Sequence, residues 1–318
     1  MKILITGGTG FLAGRLAQYL KNNCNHHIFL GSQKKIITDK FYSEFQLVQT
    51  IWNSESKLMR ICKGIDAIIH LAGVNANDSL ADPNLALKFN GIVTEKFIQA
   101  AVKSGVKKFI YFSTAHVYKS PLIGIINEDT PTISQHPYAT SNIVGEDMVL
   151  SANKHNEIQG IVIRLSNSFG APLIKDVNCW NLLVNDLCKQ VVTTGKIKLK
   201  SSGMQRRDFI PISEVCRVVE HMLKLSFMSV KNNLFNVGGN WAPTVLEIAK
   251  IISQLTKKTL LFEPELVRKE PLITEITEDL EYNTDRLKST GFIIKNNSFE
   301  EISSLLKFCQ SNFSIIKR

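Results

Sequence analysis

The run Lys2-Ile3-Leu4-Ile5-Thr6-Gly7-Gly8-Thr9-Gly10-Phe11-Leu12-Ala13 constrains this chain more than any other stretch. Residues 2–6 read as a short buried strand. Glycines follow at once, and residues 15–20 continue as a helix with Leu12, Leu16 and Leu20 apolar. A strand, a glycine turn and a helix make the first half of a dinucleotide-binding unit. Gly7 permits the tight turn, and Gly10 has no Cβ to keep a pyrophosphate off the backbone. The helix N-terminus offers free N–H groups and a partial positive charge to the phosphates.

A length of 318 residues suits one large α/β unit or a major domain with a smaller companion, and 44% hydrophobic residues can fill its core. No apolar run approaches the roughly 20 residues of a membrane span. The strand runs straight into glycines, unlike a signal peptide. A cytosolic protein with no membrane partner is expected, cytoplasmic in location. The six cysteines are scattered without a C-x-x-C pair, so neither a metal site nor a disulfide framework is indicated. The net charge of +10 is spread along the chain, with no dense basic run interleaved with aromatics. Nucleic acid is therefore not expected as a partner, whereas an anionic small molecule suits the same charge.

Taken in order, strands are expected at 26–30, 45–48, 66–73, 107–113, 160–165, 208–212 and 234–237. Helices are expected at 58–62, 85–103, 137–151, 180–192, 215–225, 244–255 and 298–309. Thr244 with Glu247 three residues on forms a capping-box pattern. The alternation predicts an α/β fold: a doubly wound parallel sheet of Rossmann type with a smaller C-terminal substrate-binding domain. Residues 1–170 with about 205–238 are assigned to the dinucleotide domain, and about 171–204 with 239–318 to the smaller one. The second strand ends at Gly31-Ser32-Gln33-Lys34-Lys35. A carboxylate there would bind the ribose 2′-hydroxyl of NAD. A small residue with nearby cations suits the 2′-phosphate of NADP. Ser32 and Lys34 thus favour NADP, with NAD as the alternative.

Several ordered motifs then carry a family resemblance. They are the glycine run, Gly64-Ile65-Asp66-Ala67-Ile68-Ile69-His70-Leu71-Ala72-Gly73, Asn90, Phe112-Ser113-Thr114-Ala115-His116-Val117-Tyr118, Tyr138, Arg164-Leu165-Ser166-Asn167-Ser168-Phe169-Gly170, Gln205-Arg206-Arg207-Asp208-Phe209-Ile210 and Asn236-Val237-Gly238-Gly239. Together the chain resembles an extended short-chain dehydrogenase/reductase of the NAD-dependent epimerase/dehydratase family, whose members mostly act on nucleotide sugars. The resemblance implies cofactor contacts at Gly7, Gly10, Phe11, Leu12, Leu71, Ala72, Gly73 and Asn90. It implies Thr114 and Tyr138 as the pair that handles the substrate oxygen, and Asn167, Arg207 and Arg268 as substrate contacts. For Arg207 the competing reading is a salt bridge to Asp208 or Glu214. Helices 85–103 and 137–151 would form a homodimer contact, as in many relatives.

Three departures matter. The family's Tyr-x-x-x-Lys is here Tyr138-Ala139-Thr140-Ser141-Asn142. Asn142 can hydrogen-bond a ribose hydroxyl but carries no charge to lower a tyrosine pKa near ~10. Proton transfer is then differently assisted, or Lys119 supplies the charge, or the chemistry is lost. Sugar 4,6-dehydratases of the family carry Asp-Glu after the catalytic Thr; here stand Ala115 and His116. His116, like His70, reads first as a structural hydrogen-bonder. Ala13 replaces the last glycine of the fingerprint, a permitted change. The expected function is an NAD(P)-dependent oxidoreductase or epimerase of a nucleotide-linked sugar, through hydride transfer at a secondary hydroxyl or ketone. The alternative is a non-catalytic NADP(H)-binding interaction or regulatory protein.

Overall fold

A computed structural model describes residues 1–34, 40–226, 233–273 and 275–314. Seven parallel strands form the main sheet: β1 (Lys2–Thr6), β2 (His27–Ser32), β3 (Gln46–Gln49), β4 (Ala67–His70), β5 (Lys108–Thr114), β7 (Gln159–Leu165) and β11 (Leu234–Val237). Three two-stranded parallel ribbons pair β6 (Gly124–Ile126) with β13 (Leu280–Tyr282), β8 (Asn167–Phe169) with β10 (Phe209–Pro211), and β9 (Lys196–Lys198) with β12 (Glu265–Val267). The sheet order is β11-β7-β5-β4-β1-β2-β3. From β1 the chain steps outward to β2 and β3, then returns to lay β4 on the other side of β1. The order therefore reverses between β1 and β4, where open α/β sheets bind ligands beyond the strands' carboxyl ends. Thr6 and His70 face each other in register at that point.

The helices are α1 (Phe11–Asn23), α2 (Glu55–Cys62), α3 (Ala76–Ala81), α4 (Pro83–Ala86), α5 (Thr94–Lys103), α6 (Pro137–Lys154), α7 (Leu183–Thr194), α8 (Ile212–Lys224), α9 (Val245–Leu260), α10 (Asp285–Lys288) and α11 (Ser298–Phe313). The single helix expected at 85–103 is instead α4, a π-helical turn over Leu87–Val93, and α5. Such widened turns gather at functional sites, and this one carries Asn90. The capping box at α9 is present: Thr244 N donates to Glu247 at 2.7 Å, and Glu247 N to Thr244 Oγ1 at 3.1 Å. The second strand runs two residues further than expected. Gly31 and Ser32 pair with Val48 and Gln49 of β3. A Cβ at Gly31 would lie 2.8 Å from the Thr50 methyl, so that crossing requires glycine.

Both sheet faces are covered. One packs Leu16 and Leu20 of α1 and Val215 and Val219 of α8, all fully buried. The other packs Leu58 of α2 and Phe97 of α5. A separate cluster joins α7, α9 and α11 around Phe169 and Phe209. Leu287 of α10 and Phe292 pack into the cluster under the main sheet.

Candidate active site

The β1–α1 turn is built for close approach. Gly7 has a φ of +66°, and a Cβ there would stand 3.1 Å from the Leu71 carbonyl carbon and the Ala72 nitrogen. Gly10 is the N-cap of α1, and no side chain caps the first turn, which Phe11 and Leu12 begin. Thr6 Oγ1 accepts hydrogen bonds from the N–H groups of Leu71 and Ala72, both at 3.2 Å, and lies 2.7 Å from His70 Nδ1. His70 Nε2 lies 3.2 Å from Thr94 Oγ1. Burial pushes the His70 pKa down to about 3, so the ring is a neutral spacer between β1, β4 and α5. These residues fit a dinucleotide. No Cβ bars a pyrophosphate at the turn, and no side chain competes for the N–H groups of α1.

Asn90 stands behind this cradle. Its Oδ1 accepts from Val74 N at 2.8 Å, and its Nδ2 donates to Ser141 Oγ at 3.0 Å and Val74 O at 3.3 Å. A Cβ at Gly73 would lie 3.2 Å from that Oδ1. Asn90 therefore holds the loop after β4 against α6. At the other side, the buried Ser32 hydroxyl accepts the Lys34 N–H at 3.1 Å, while Lys34 is exposed. Lys35, also expected near a phosphate, lies outside the described residues.

Beyond the cradle opens a cavity of about 380 Å³ whose walls include Thr114, His116, Tyr138, Asn167 and Arg207. Thr114 ends β5. Tyr138 sits in the first turn of α6, placed there by Pro137 and by His136, whose Nδ1 accepts the Tyr138 N–H at 3.1 Å. Thr114 and the Tyr138 phenol stand on the same cavity wall. Desolvation raises the phenol's pKa above its ordinary value, and the nearby Thr114 hydroxyl opposes that rise only in part. Ser113, the neighbouring candidate, is engaged elsewhere: its hydroxyl bonds the buried Glu146, which also receives a two-pronged guanidinium contact from Arg164 (Nη2 to Oε2 2.7 Å). Thr114 is thus the hydroxyl left for the cavity. The His116 ring meets the Tyr138 ring edge-on at 6.2 Å, and its pKa is lowered by desolvation and by the cations Arg207 and His136.

Asn142 is 4% exposed and turned inward. Its Nδ2 donates to Tyr138 O at 2.7 Å and its Oδ1 accepts from Tyr111 OH at 3.1 Å. The amide expected at the ribose is engaged within the protein instead, because Tyr111 reaches it from β5. Lys119 does not supply the missing charge either. It lines a neighbouring cavity, and no cation contributes to the shift of Tyr138.

On the substrate side, Arg207 has no carboxylate partner among the described residues; its side chain donates to Gln205 Oε1 at 3.3 Å. The salt bridges considered for it are occupied. Asp208 accepts from Ser166 Oγ at 2.5 Å, Gly239 N at 3.0 Å and Trp241 N at 3.3 Å, and Glu214 pairs with Arg217 at 2.7 Å. Burial lifts the Asp208 carboxyl to about 6. Asn167 donates to Asp208 O at 2.9 Å and stays on the cavity wall. Arg268 is not brought to the cavity wall; it donates to Ser202 O at 2.9 Å, beside the β9–β12 ribbon.

Sequence reading named Tyr118, Arg164 and Asn236 only as parts of motifs and missed Glu146; the four form a buried chain behind Thr114. Arg164 Nη1 donates to Tyr118 OH at 2.9 Å, which donates to Asn236 Oδ1 at 2.7 Å. The local signal for Glu146 was its place eight residues and two turns after Tyr138. It also missed Asn178 and Asn181, polar wall residues of the cavity from the segment before α7. Among the described residues, no cluster of His, Cys, Asp and Glu is placed to hold a metal ion, and no helix is long and apolar enough to cross a membrane.

A parallel sheet reversing at β1, with a side-chain-free phosphate cradle there, defines a dinucleotide-binding α/β protein of Rossmann type. Residues 3–238 match the model of the NAD dependent epimerase/dehydratase family, and the chain belongs to that family. It is similar to dTDP-D-glucose 4,6-dehydratase of Mus musculus, 26% identical over 269 residues that span 81% of this chain and 74% of that protein. Its fold is that of UDP-N-acetylglucosamine 4-epimerase from Bacillus cereus, with a TM-score of 0.81 at 18% identity over 100% of this chain and 99% of that one. MoeE5, solved in complex with UDP-glucose and NAD, aligns with a TM-score of 0.77 at 19% identity over 99% of this chain and 100% of that one.

Proposed function

We propose that the protein is an NAD(P)-dependent oxidoreductase or epimerase acting on a nucleotide-linked sugar at a secondary hydroxyl or ketone. Thr114 and Tyr138, on the wall of one cavity with an arginine that lacks a carboxylate partner among the described residues, carry this reading. Gly7, Gly10 and the N–H groups of Phe11 and Leu12 would hold the dinucleotide's phosphates, with Leu71, Ala72 and Gly73 as the opposite wall. A bound nicotinamide dinucleotide supplies or accepts the hydride. Thr114 orients the substrate oxygen, and Tyr138 passes the proton to or from it. Arg207 and Asn167 grip the diphosphate, a task suited to a planar fork of donors. Ser32 and Lys34 favour the 2′-phosphate of NADP over NAD.

The 4,6-dehydration of the mouse relative does not suit this site. The residues after Thr114 are Ala115 and a His116 whose own protonation is disfavoured, so the paired carboxylates of that reaction are lacking. The inward-turned Asn142 favours a second reading, a cofactor-binding protein without turnover. α5 and α6 would form a homodimer contact through the cleft containing Val102, Met148 and Ala152. The deciding experiment is titration with NADPH, NADP, NADH and NAD, followed by turnover assays on nucleotide sugars. Turnover that falls by about 10²–10⁴-fold in Tyr138→Phe supports the enzyme reading. Tight dinucleotide binding with no turnover selects the second.

A further inference from the structure

Tyr138 is held by the start of α6, and a single residue, His136, supplies most of that hold. Pro137 brings no N–H, so the Tyr138 N–H is the first free donor of the helix. His136 Nδ1 accepts it at 3.1 Å, and no other acceptor meets it among the described residues. The next two donors, Ala139 N and Thr140 N, go to His136 O at 2.8 and 3.1 Å. From the other side Ser141 Oγ and Asn142 Nδ2 donate to Tyr138 O at 3.1 and 2.7 Å. The tyrosine is thus pinned at both of its backbone groups. Helices are usually capped by Ser, Thr, Asn or Asp, which keep an acceptor at neutral and mildly acid pH. Here the cap is a histidine, the side-chain type that changes charge in that range.

We infer that His136 is a positioning residue for Tyr138, and that protonation of its ring withdraws the tyrosine from the reaction. The inference rests on the proposed role of Tyr138 as acid and base. A backbone N–H can only donate, so the bond to Nδ1 requires a ring whose proton sits on Nε2. A protonated ring carries hydrogen on both nitrogens and offers no acceptor. It also sets a positive charge at the positive end of α6. His136 is half-buried, so solvent protons reach it. The groups around it do not neutralise that charge. His116, on the turn Ala115–Val117, feels His136 and Arg207 as cations. The acids on neighbouring elements are engaged elsewhere. Asp78 of α3 accepts from Asn75 Nδ2 at 2.7 Å, Asp82 of α4 accepts from Leu85 N at 2.9 Å, and Glu146 pairs with Arg164 of β7 at 2.7 Å. The charged ring therefore turns away from the Tyr138 N–H, and the first turn of α6 loosens with the tyrosine in it.

The first measurement needs no substrate. In protein labelled with 15N-tyrosine, the Tyr138 amide signal, assigned by its loss in Tyr138→Phe, is followed by NMR from pH 8 to pH 5. A single step is expected in the range where histidines change charge. It should vanish in His136→Asn, whose side-chain oxygen caps the helix at every pH in that range. The second measurement is single-turnover reduction by NADPH of UDP- and dTDP-4-keto-6-deoxyglucose. Reduction uses the phenol, which stays protonated below neutrality, so Tyr138 alone gives no acid limb. The wild-type rate is expected to fall by about five-fold or more between pH 7 and pH 5, the size of effect one lost N-cap gives. In His136→Asn the fall should shrink to within about two-fold, the capping oxygen being retained. In His116→Gln it should persist. An amide signal without a step, a step that survives His136→Asn, or an acid limb that disappears in His116→Gln instead, overturns the inference and leaves the proposed function standing. A step in the signal with no turnover of any nucleotide sugar overturns the proposed function, and with it the effect of His136 on the reaction.

Discussion

Tyr138 and Asn142 lie one helical turn apart, and together they set how protons move in this site. Burial holds the Tyr138 phenol above its ordinary pKa, and no cation offsets it. The phenolate fraction near neutral pH is therefore small and grows about tenfold per pH unit. Oxidation of a sugar hydroxyl needs the phenolate as base. Its rate is expected to climb about tenfold per unit from pH 7 to 9 without a plateau. Reduction of a ketone needs the phenol as acid, and its rate should stay flat over the same range. Steady-state rates in both directions check this; a plateau in oxidation below pH 8 would show an unrecognised cation at the phenol. Asn142→Lys should move the rising limb down by about one unit or more, because a nearby positive charge favours the phenolate. The identity of residue 142 was legible as a departure from Tyr-x-x-x-Lys. Its orientation was not, since Tyr111 lies 31 residues away on another element.

At the scale of elements, α6 shows what a sequence pattern omits. Its start is readable from Pro137 at the first helical position, and its length from the run that follows. Its buried polar face is not. Glu146 meets Ser113 from β5 and Arg164 from β7, partners 33 and 18 residues away. The close packing behind that face depends on Gly145. A Cβ there would overlap the Tyr111 phenol and lie 2.7 Å from Asn90 O. Gly145→Ala should destabilise the fold by about 1–3 kcal/mol through overpacking and loosen the turn that carries Asn90. Denaturant unfolding reads the first effect, and dinucleotide affinity reads the second. At the far end of the sheet, the buried Lys108 Nζ donates to the carbonyls of Met222, Leu223 and Leu225 at 2.8, 2.8 and 2.7 Å. It serves as the cap of α8, favourably placed at the negative end of the helix. Lys108→Met leaves those carbonyls without their donor and should lose about 3 kcal/mol in the same measurement.

For the whole molecule, the sheet was legible because strands and helices alternate and each apolar run is short and bounded. What joins distant segments was not. Arg15 of α1 donates to Ala171 O at 2.6 Å and pairs with Glu301 of α11 at 3.0 Å, across 286 residues. The return of Leu287 and Phe292 to the main core is equally non-local. Arg15 ties the helix whose N-terminus would hold the cofactor phosphates to the cluster that carries α11. A dinucleotide bound at that N-terminus should therefore stabilise the chain as one body. At a hundred times its dissociation constant a ligand adds about 2.7 kcal/mol, which for a chain of this length raises the melting temperature by about 4 °C. If Ser32 and Lys34 form a 2′-phosphate site, NADPH should give the larger shift than NADH at equal concentration. Ser32→Asp should reverse the order, since a carboxylate repels the phosphate and binds the free ribose hydroxyl of NADH. Equal shifts from the two cofactors, unaltered in Ser32→Asp, would instead leave the choice between them to some group other than Ser32.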